Sequence, residues 1–290
     1  MFTVSMNPVA FAIGSLEIRW YGIMMGLAVA VLLAVMVREA KRRGISQNIY
    51  GIFFSGVVGG VIGGRLAYVI YDWPHFAAQP LDVFGLWGMA QNGMIIGVIV
   101  AALIYMGITR MRFSTLLRLG DVLAVGAPLG LAIARIGCTI NGCCYAQPSP
   151  FNFFPLAMTY TPRDTVPPEY WGTPLYPATI YHLVWGMVVF GIVWRLRDRF
   201  KAEGSLLFFF ICVFAVGDFF IRYVRVDEPV LLGLRQAQIL DLAGVAIFLP
   251  WLIVKLRRFH EPALVAEPAP ANRLNPSSPS RTTLGGETSQ

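Results

Sequence analysis

The apolar positions of this chain fall into seven long segments separated by polar connections. Each segment is roughly the 17–25 residues that a helix needs to cross about 30 Å of hydrocarbon. The segments lie at about 20–37, 51–71, 94–109, 119–138, 175–194, 204–224 and 237–254, and the third is the shortest. The pattern predicts an all-α, polytopic membrane protein with seven transmembrane helices.

Composition supports this class and marks one boundary. Apolar residues make up 56% of 290 positions and charged residues only 13%, whereas about a quarter of a soluble domain is charged. Residues 1–15 lack the features of a cleavable signal peptide, so we expect the first helix to direct membrane insertion. Residues 259–290 are rich in Pro, Ala, Ser, Thr and Gly. We therefore predict a transmembrane domain over 1–258 and a disordered cytoplasmic tail over 259–290.

Basic residues alternate between the connections and predict the orientation. They cluster after the first, third, fifth and seventh segments, and the opposite connections are nearly free of them. Because cytoplasmic loops retain Lys and Arg, the N-terminus is expected outside and the C-terminus in the cytoplasm. The net charge of +7 is then explained by loops held against anionic lipid. The expected partner of these charges is a lipid bilayer and not a nucleic acid.

Several polar residues interrupt the apolar segments. Arg135 lies in a segment otherwise apolar enough to cross a membrane, where a guanidinium costs roughly 2.5–3.5 kcal/mol on insertion scales. Such groups must face the bundle interior or a wet cavity and find partners there. Together they predict a polar chamber formed by Arg65, Asp121, Arg135, Asn141, Asp218, Arg222, Gln238 and Asp241.

The arginines of this set differ in their local partners. Asp218 and Arg222 are four residues apart, so they can form an ion pair along one helix face and need no ligand. Arg65 and Arg135 have no such local partner. Two unpaired guanidiniums indicate an anionic ligand, and the arginine fork suits phosphate. The alternative is that Asp121 or Asp241 pairs with either arginine across helices.

Three of the four cysteines lie at the outer end of the fourth segment. Adjacent cysteines rarely bond to each other without strain, so a disulfide from Cys138 to Cys143 or Cys144 is the oxidised alternative to free thiols. The three histidines show no zinc-binding spacing relative to these cysteines. We therefore expect no metal site.

Six short motifs resemble the bacterial prolipoprotein diacylglyceryl transferases, in the same order over about residues 7–258. The most specific is Ala-Arg-Ile-Gly-Cys-Thr-Ile-Asn-Gly at 134–142. The others are Trp-Tyr-Gly at 20–22, Gly-Gly-Arg-Leu-Ala-Tyr at 63–68, Tyr-Pro-Ala-Thr-Ile-Tyr at 176–181, Arg225, and Gln-Ile-Leu at 238–240.

The resemblance implies a seven-helix enzyme of the bacterial inner membrane with its active site toward the outside. Such an enzyme takes diacylglycerol from phosphatidylglycerol and places it, as a thioether, on the lipobox cysteine of a prolipoprotein signal peptide, releasing glycerol phosphate. No metal or organic cofactor is implied.

The resemblance also implies roles for individual residues. Arg135 would hold the lipid phosphate with Arg65 nearby, and Tyr21 and Asn141 would shape the polar end of the cavity. Arg222 could supply further positive charge to the phosphate. Supporting roles are expected for Tyr68, Asp218, Arg225 and Gln238.

The chain departs from the family pattern in the catalytic region. Asn92 replaces a histidine before the third helix, and an amide cannot act as a general base at neutral pH. Either the base lies elsewhere or the family histidine only forms hydrogen bonds. Cys138 and Cys143 replace an asparagine and a glutamate, and Ala146 replaces a glycine.

In the sixth helix the family has an arginine followed four residues later by a glutamate, whereas Asp218 and Arg222 reverse the charges. Two alternatives to lipid transfer onto prolipoproteins therefore stay open. One is a phospholipid-binding protein or anionic-solute transporter that retains only the anion site. The other keeps the chemistry with a different acceptor, which the long loop 146–181 would recognise.

Overall fold

The computed structural model describes residues 2–14, 16–45, 48–84 and 88–260. Seven of the α-helices within them are long and apolar enough to cross a membrane, which confirms the seven predicted spans; α3 is a short additional helix in a connection. The helices are α1 (Trp20–Arg42), α2 (Ile49–Tyr71), α3 (Trp73–Ala78), α4 (Gln91–Ile108), α5 (Phe113–Asn141), α6 (Ala178–Leu196), α7 (Ser205–Ile221) and α8 (Gln236–His260).

Several helix ends differ from the predicted ones. Helix α4 begins at Gln91, a few residues before the predicted start of the third segment at about 94. Helix α5 extends past the predicted 119–138 at both ends, because its first turns carry polar and basic residues that do not register as an apolar segment. Helix α8 continues to His260, two residues past the predicted domain end. The rest of the predicted tail lies outside the described residues.

Short β-strands, which were not predicted, lie before α1 and in the connections between helices. Strands β1 (Phe2–Val4) and β4 (Met158–Tyr160) pair in parallel, whereas β2 (Val9–Ile13) with β3 (Leu16–Arg19), and β5 (Pro229–Leu231) with β6 (Leu234–Arg235), pair antiparallel. Turns of 3₁₀-helix cover Pro80–Phe84, Pro168–Tyr170 and Arg222–Val224. The long connection after α5 has a small core of its own, formed with the N-terminal strand by Val4, Met158, Tyr160, Val166 and Leu175.

Helix α5 lies at the centre of the bundle and packs against α1, α6 and α7. Helices α2 and α4 form a second tight pair, and α7 packs against α8. The α2–α4 approach depends on glycine, because a Cβ atom at Gly63 would lie 2.4 Å from the carbonyl oxygen of Gly93. Small residues allow such close backbone contact between membrane helices.

Buried carboxylates organise the basic end of the bundle. Glu39 of α1 is fully buried and pairs with Arg42 at 2.8 Å and with Arg197 at 3.0 Å. Asp121 of α5 accepts hydrogen bonds from the amides of Gly204 at 2.7 Å and Leu207 at 2.9 Å. It thereby satisfies amides at the N-terminus of α7 that have no partner within that helix.

The placement of Asp121 in the polar chamber is therefore wrong. Fourteen residues separate it from Arg135 on the same helix, which corresponds to roughly 21 Å along the axis. The amide groups at the start of α7 account for its burial, and the site described below lies toward the other end of α5.

Candidate active site

Arg135 lies half-buried near the C-terminal end of α5. Within the described part of the chain, no hydrogen bond or ion pair engages its guanidinium. Its charge nevertheless interacts electrostatically with four neighbouring groups, which are the Tyr21 hydroxyl, the thiols of Cys138 and Cys144, and the His182 imidazole. The expectation that Arg135 has no local partner is therefore confirmed among the described residues.

Tyr21 reaches this position because α1 begins against α5. A Cβ atom at Gly137 would lie 2.9 Å from the Cβ of Met24 and 3.3 Å from the Cα of Tyr21. Only glycine therefore allows the first turn of α1 to approach α5 two residues after Arg135. Tyr21 is 37% exposed, so the residue lies at the boundary between the bundle and its surroundings.

Helix α5 ends in a left-handed turn at Gly142, whose φ is 80°. A side chain there would also meet Arg163 Cδ and Val166 Cγ2, each at 2.7 Å. Arg163 is buried and donates hydrogen bonds to the carbonyl oxygen of Ile140 at 2.7 Å and to that of Val4. This cation satisfies a carbonyl at the helix C-terminus and opposes its negative dipole end.

Asn141, the last residue of α5, is buried beneath this turn. Its backbone carbonyl accepts a hydrogen bond from the Thr165 hydroxyl. Its side-chain Oδ1 has no hydrogen-bond partner among the described residues. A buried polar atom without a partner costs free energy, so a hydrogen-bond donor placed against this oxygen would be favourable.

Three thiols converge beside Arg135. The sulfur atoms of Cys138, Cys143 and Cys144 lie within 4.8 Å of one another, and all four cysteines of the chain are free thiols, with Cys212 away in α7. Hydrogen bonds from the thiols of Cys138 and Cys143, together with the guanidiniums of Arg225 and Arg135, hold the pKa of the Cys144 thiol well below its usual value.

Arg65 has a different environment from the one expected. Its guanidinium donates hydrogen bonds to the carbonyl oxygens of Val83 at 3.0 Å and Gly88 at 3.1 Å, and to that of Asp82. It also lies over the ring of Tyr68, 5.6 Å from the centroid. The expectation of an unpaired Arg65 is wrong, because carbonyl groups of the connection between α3 and α4 satisfy the guanidinium. Arg65 and Tyr68 together position that connection.

The Asp218–Arg222 ion pair is confirmed. Arg222 Nε donates to Asp218 Oδ2 at 2.8 Å, and both side chains are about 5% exposed. Arg222 also lies 3.6 Å from Asp227 and donates to Gln91 at 3.5 Å. Protein carboxylates therefore already neutralise Arg222, which leaves it less suited than Arg135 to binding a phosphate.

His182 of α6 joins this pair, and sequence reasoning missed it. Its Nδ1 lies 2.8 Å from the carbonyl oxygen of Ala178 and its Nε2 lies 2.8 Å from Asp218 Oδ1. A carbonyl can only accept, so Nδ1 carries a proton. A second proton must then lie between Nε2 and the carboxylate, carried by one of them. The signal available in the sequence was a histidine in the middle of an apolar segment.

Asp241 of α8 lies close to Asp218 and Arg222. In the described part of the chain, neither it nor Asp121 forms an ion pair with Arg65 or Arg135. The alternative that a distant aspartate neutralises one of these arginines is therefore wrong. Asp241 instead extends the buried charge network around Asp218.

Arg225 and Gln238 hold the segment between α7 and α8 against the site. Arg225 lies mostly buried, with Nε 3.1 Å from Asp227, and its charge reaches Cys144. Gln238 is fully buried; it accepts from the Arg235 amide at 3.0 Å and donates to the carbonyl oxygen of Phe219 at 3.1 Å. These contacts give Gln238 a structural role, as a bridge between α8 and α7.

Comparison with known proteins places the chain among lipid-transfer enzymes. Residues 8–254 match the prolipoprotein diacylglyceryl transferase family. The chain belongs to this family. It is 31% identical to the phosphatidylglycerol–prolipoprotein diacylglyceryl transferase of Dehalococcoides mccartyi over 261 residues, 89% of this chain and 97% of that protein.

Two further relatives carry the same name. The Bordetella bronchiseptica protein is 32% identical over 84% of this chain and 94% of its own length. The Clostridioides difficile protein is 30% identical over 83% of this chain and 92% of its own length. These relatives are transferase enzymes, and the seven apolar helices agree with a multi-pass membrane member of the family.

Asn92 lies in the first turn of α4, half-buried. Its side chain makes no hydrogen bond within the described residues. The neighbouring Gln91 touches Arg222, so the start of α4 lies beside the buried charge network. An amide in this place can orient a substrate but cannot take up its proton.

Proposed function

We propose that this chain transfers the diacylglyceryl group of phosphatidylglycerol to the lipobox cysteine of prolipoprotein signal peptides. The observation that carries the proposal is Arg135, a half-buried guanidinium without a partner among the described residues, in a member of the prolipoprotein diacylglyceryl transferase family. A phosphodiester is the anion that this family's substrate presents, and an arginine fork donates two parallel hydrogen bonds to it.

The reaction joins the acceptor sulfur to a glycerol carbon of the lipid. The thiolate attacks that carbon, the carbon–oxygen bond to phosphate breaks, and glycerol phosphate leaves with the bonding electrons. The departing phosphate gains negative charge in the transition state. Arg135 stabilises that charge without a proton transfer, which is the most effective kind of assistance for such a leaving group. Tyr21 and Asn141 orient the polar part of the lipid.

Acyl chains need an apolar surface beside this polar end. A groove of about 570 Å³ between α6 and α7 is lined almost wholly by carbon, with Tyr181, Val184, Trp185, Gly217 and Phe220 among its walls. Its lining residues Ile180 and Tyr181 directly follow Thr179, which accepts a hydrogen bond from the Thr139 hydroxyl of α5 at 2.9 Å. We assign this groove to an acyl chain of the lipid.

The orientation of the site follows from the charged ends of the bundle. Glu39 and its arginines mark the end at which basic residues are concentrated, and basic loops stay in the cytoplasm. Arg135 lies toward the opposite end of α5. We propose that the protein resides in the bacterial inner membrane with the N-terminus outside, the C-terminus in the cytoplasm, and the site facing exported prolipoproteins.

The test is a transfer assay with purified protein in lipid nanodiscs. Phosphatidylglycerol and a lipobox peptide are added, and peptide mass and released glycerol phosphate are followed together. We expect both products from the parent, a severe fall in both from Arg135→Ala, and parental rates from Arg118→Ala, the matched control at an exposed arginine. Lipid binding without either product would favour the phospholipid-binding alternative, and transfer to a different thiol would favour a different acceptor.

A further inference from the structure

The cysteine cluster of Cys138, Cys143 and Cys144 is not explained by lipid binding. Its three sulfur atoms lie within 4.8 Å of one another. Cys138 is buried in the last turn of α5, and the other two are half-buried beyond the helix. In a membrane protein with only four cysteines, three thiols gathered at one point need a physical reason.

The backbone is shaped to gather them. Gly142 turns the chain back at the end of α5 with a φ of 80°, and Cys144 itself adopts a φ of 62°. Positive φ is uncommon for a residue with a side chain and costs free energy. This local reversal brings the side chains of two adjacent residues toward the thiol of Cys138, which a continued helix would not do.

The spacing suits a metal ion. Zinc binds thiolates at about 2.3 Å, so two sulfurs on a tetrahedral zinc lie roughly 3.8 Å apart. The observed limit of 4.8 Å requires only a small side-chain adjustment. Three thiolates favour soft ions over magnesium or calcium.

We propose that Cys138, Cys143 and Cys144 bind a zinc ion whose fourth coordination position accepts the acceptor thiol. Catalytic zinc sites have three protein ligands and one open position, and this cluster supplies three. The expectation of no metal site relied on histidine spacing in the sequence, and the convergence of the three thiols depends on the turn at Gly142.

The second half of this inference rests on the proposed function. A thiol bound to zinc loses its proton, so binding at the open position would convert the lipobox thiol into a thiolate and release one proton to water. The thiolate then attacks the glycerol carbon, the carbon–oxygen bond breaks, and glycerol phosphate departs. This supplies the deprotonation that Asn92 cannot perform.

Metal binding is tested first, with cobalt as a spectroscopic probe. The full chain is purified, four free thiols are confirmed by titration, and Co²⁺ is added without oxygen. We expect one ion per chain, a thiolate-to-cobalt charge-transfer band, and displacement by Zn²⁺. Cys143→Ser and Cys144→Ser should each weaken binding by at least about tenfold, since even outer-shell partners of a metal contribute that much.

Cys212→Ser is the matched control, because it removes a thiol in α7 and should leave binding unchanged. The Cys144 variant changes a residue outside the helices, so the test does not depend on the folding of a Cys138 variant. Absence of the band in the reduced chain, or its persistence in both serine variants, would overturn the metal site.

The open position is tested with the lipobox peptide in the absence of phosphatidylglycerol, so that no transfer occurs. We expect the peptide to strengthen the charge-transfer band, and a peptide with serine in place of its cysteine to leave the band unchanged. No response to the cysteine peptide would overturn the thiol-binding role. A cobalt band and a peptide response without later transfer would leave the metal site standing and contradict the proposed function.

Discussion

Replacing Arg135 by alanine should slow transfer severely without weakening the fold. The guanidinium has no hydrogen bond to lose among the described residues, so the free energy of unfolding should stay unchanged or rise. A phosphate held by two charge-assisted hydrogen bonds loses about 1.5–3 kcal/mol for each. The sum of about 3–6 kcal/mol corresponds to a fall in kcat/KM of about 10²–10⁴-fold. Arg135→Lys keeps the charge but loses the two parallel donors of the guanidinium. Its kcat/KM should therefore lie between those of the parent and Arg135→Ala.

Arg163→Ala, at the same end of α5, should instead lower the stability of the fold. Arg163 donates to the carbonyl oxygens of Thr161 at 3.1 Å, Ile140 at 2.7 Å and Val4. The Val4 carbonyl keeps the Thr161 amide as a donor, so two unsatisfied acceptors should cost about 2–3 kcal/mol. Thermal unfolding in nanodiscs and glycerol phosphate release are measured on both variants. An Arg135→Ala protein that transfers lipid at the parental rate, or unfolds as early as Arg163→Ala, would refute the reasoning.

Three further changes test the architecture around the site. Gly142→Ala should destabilise the protein by about 1–3 kcal/mol in thermal unfolding. Gly172→Ala is the control for backbone strain alone, because Gly172 also has a positive φ but has open space around it. Equal losses of stability in the two variants would contradict the predicted clash at Gly142. Arg65→Gln should make the connection between α3 and α4 more sensitive to limited proteolysis, because its carbonyls lose their donor; an unchanged cleavage rate would be inconsistent with that role. Asp218→Asn should cost about 3–5 kcal/mol by leaving the Arg222 charge buried without its main partner, and a matching loss in Arg222→Gln is expected by the same measurement.

The spanning helices could be predicted because each one is specified locally. A helix satisfies its own backbone in lipid, so an apolar segment of sufficient length is enough to identify it. The ends of α5 could not be placed this way. Its first turn at Phe113 is too polar to count as membrane-spanning, and its last turn is set by the contacts of Gly142 with Arg163 and Val166.

The partners of polar residues required the tertiary structure. Asp218 and Arg222 were paired correctly because one helix face brings them together. Asp121 binds amides more than 80 residues away in the chain, and His182 reaches Asp218 from another helix. Arg65 is satisfied by carbonyls of a connection with no recognisable pattern. No spacing rule relates such residues before the helices are packed.

The buried and half-buried arginines differ in the partners that the chain itself supplies. Arg65, Arg163, Arg222 and Arg235 each bind carbonyls or carboxylates of the chain itself, so their charges are compensated whether or not a ligand is present. Arg135 has no such partner in the described residues, and a guanidinium there carries an uncompensated desolvation cost. A bound phosphate compensates the charge of Arg135. Relief of this desolvation cost therefore contributes to the free energy of lipid binding.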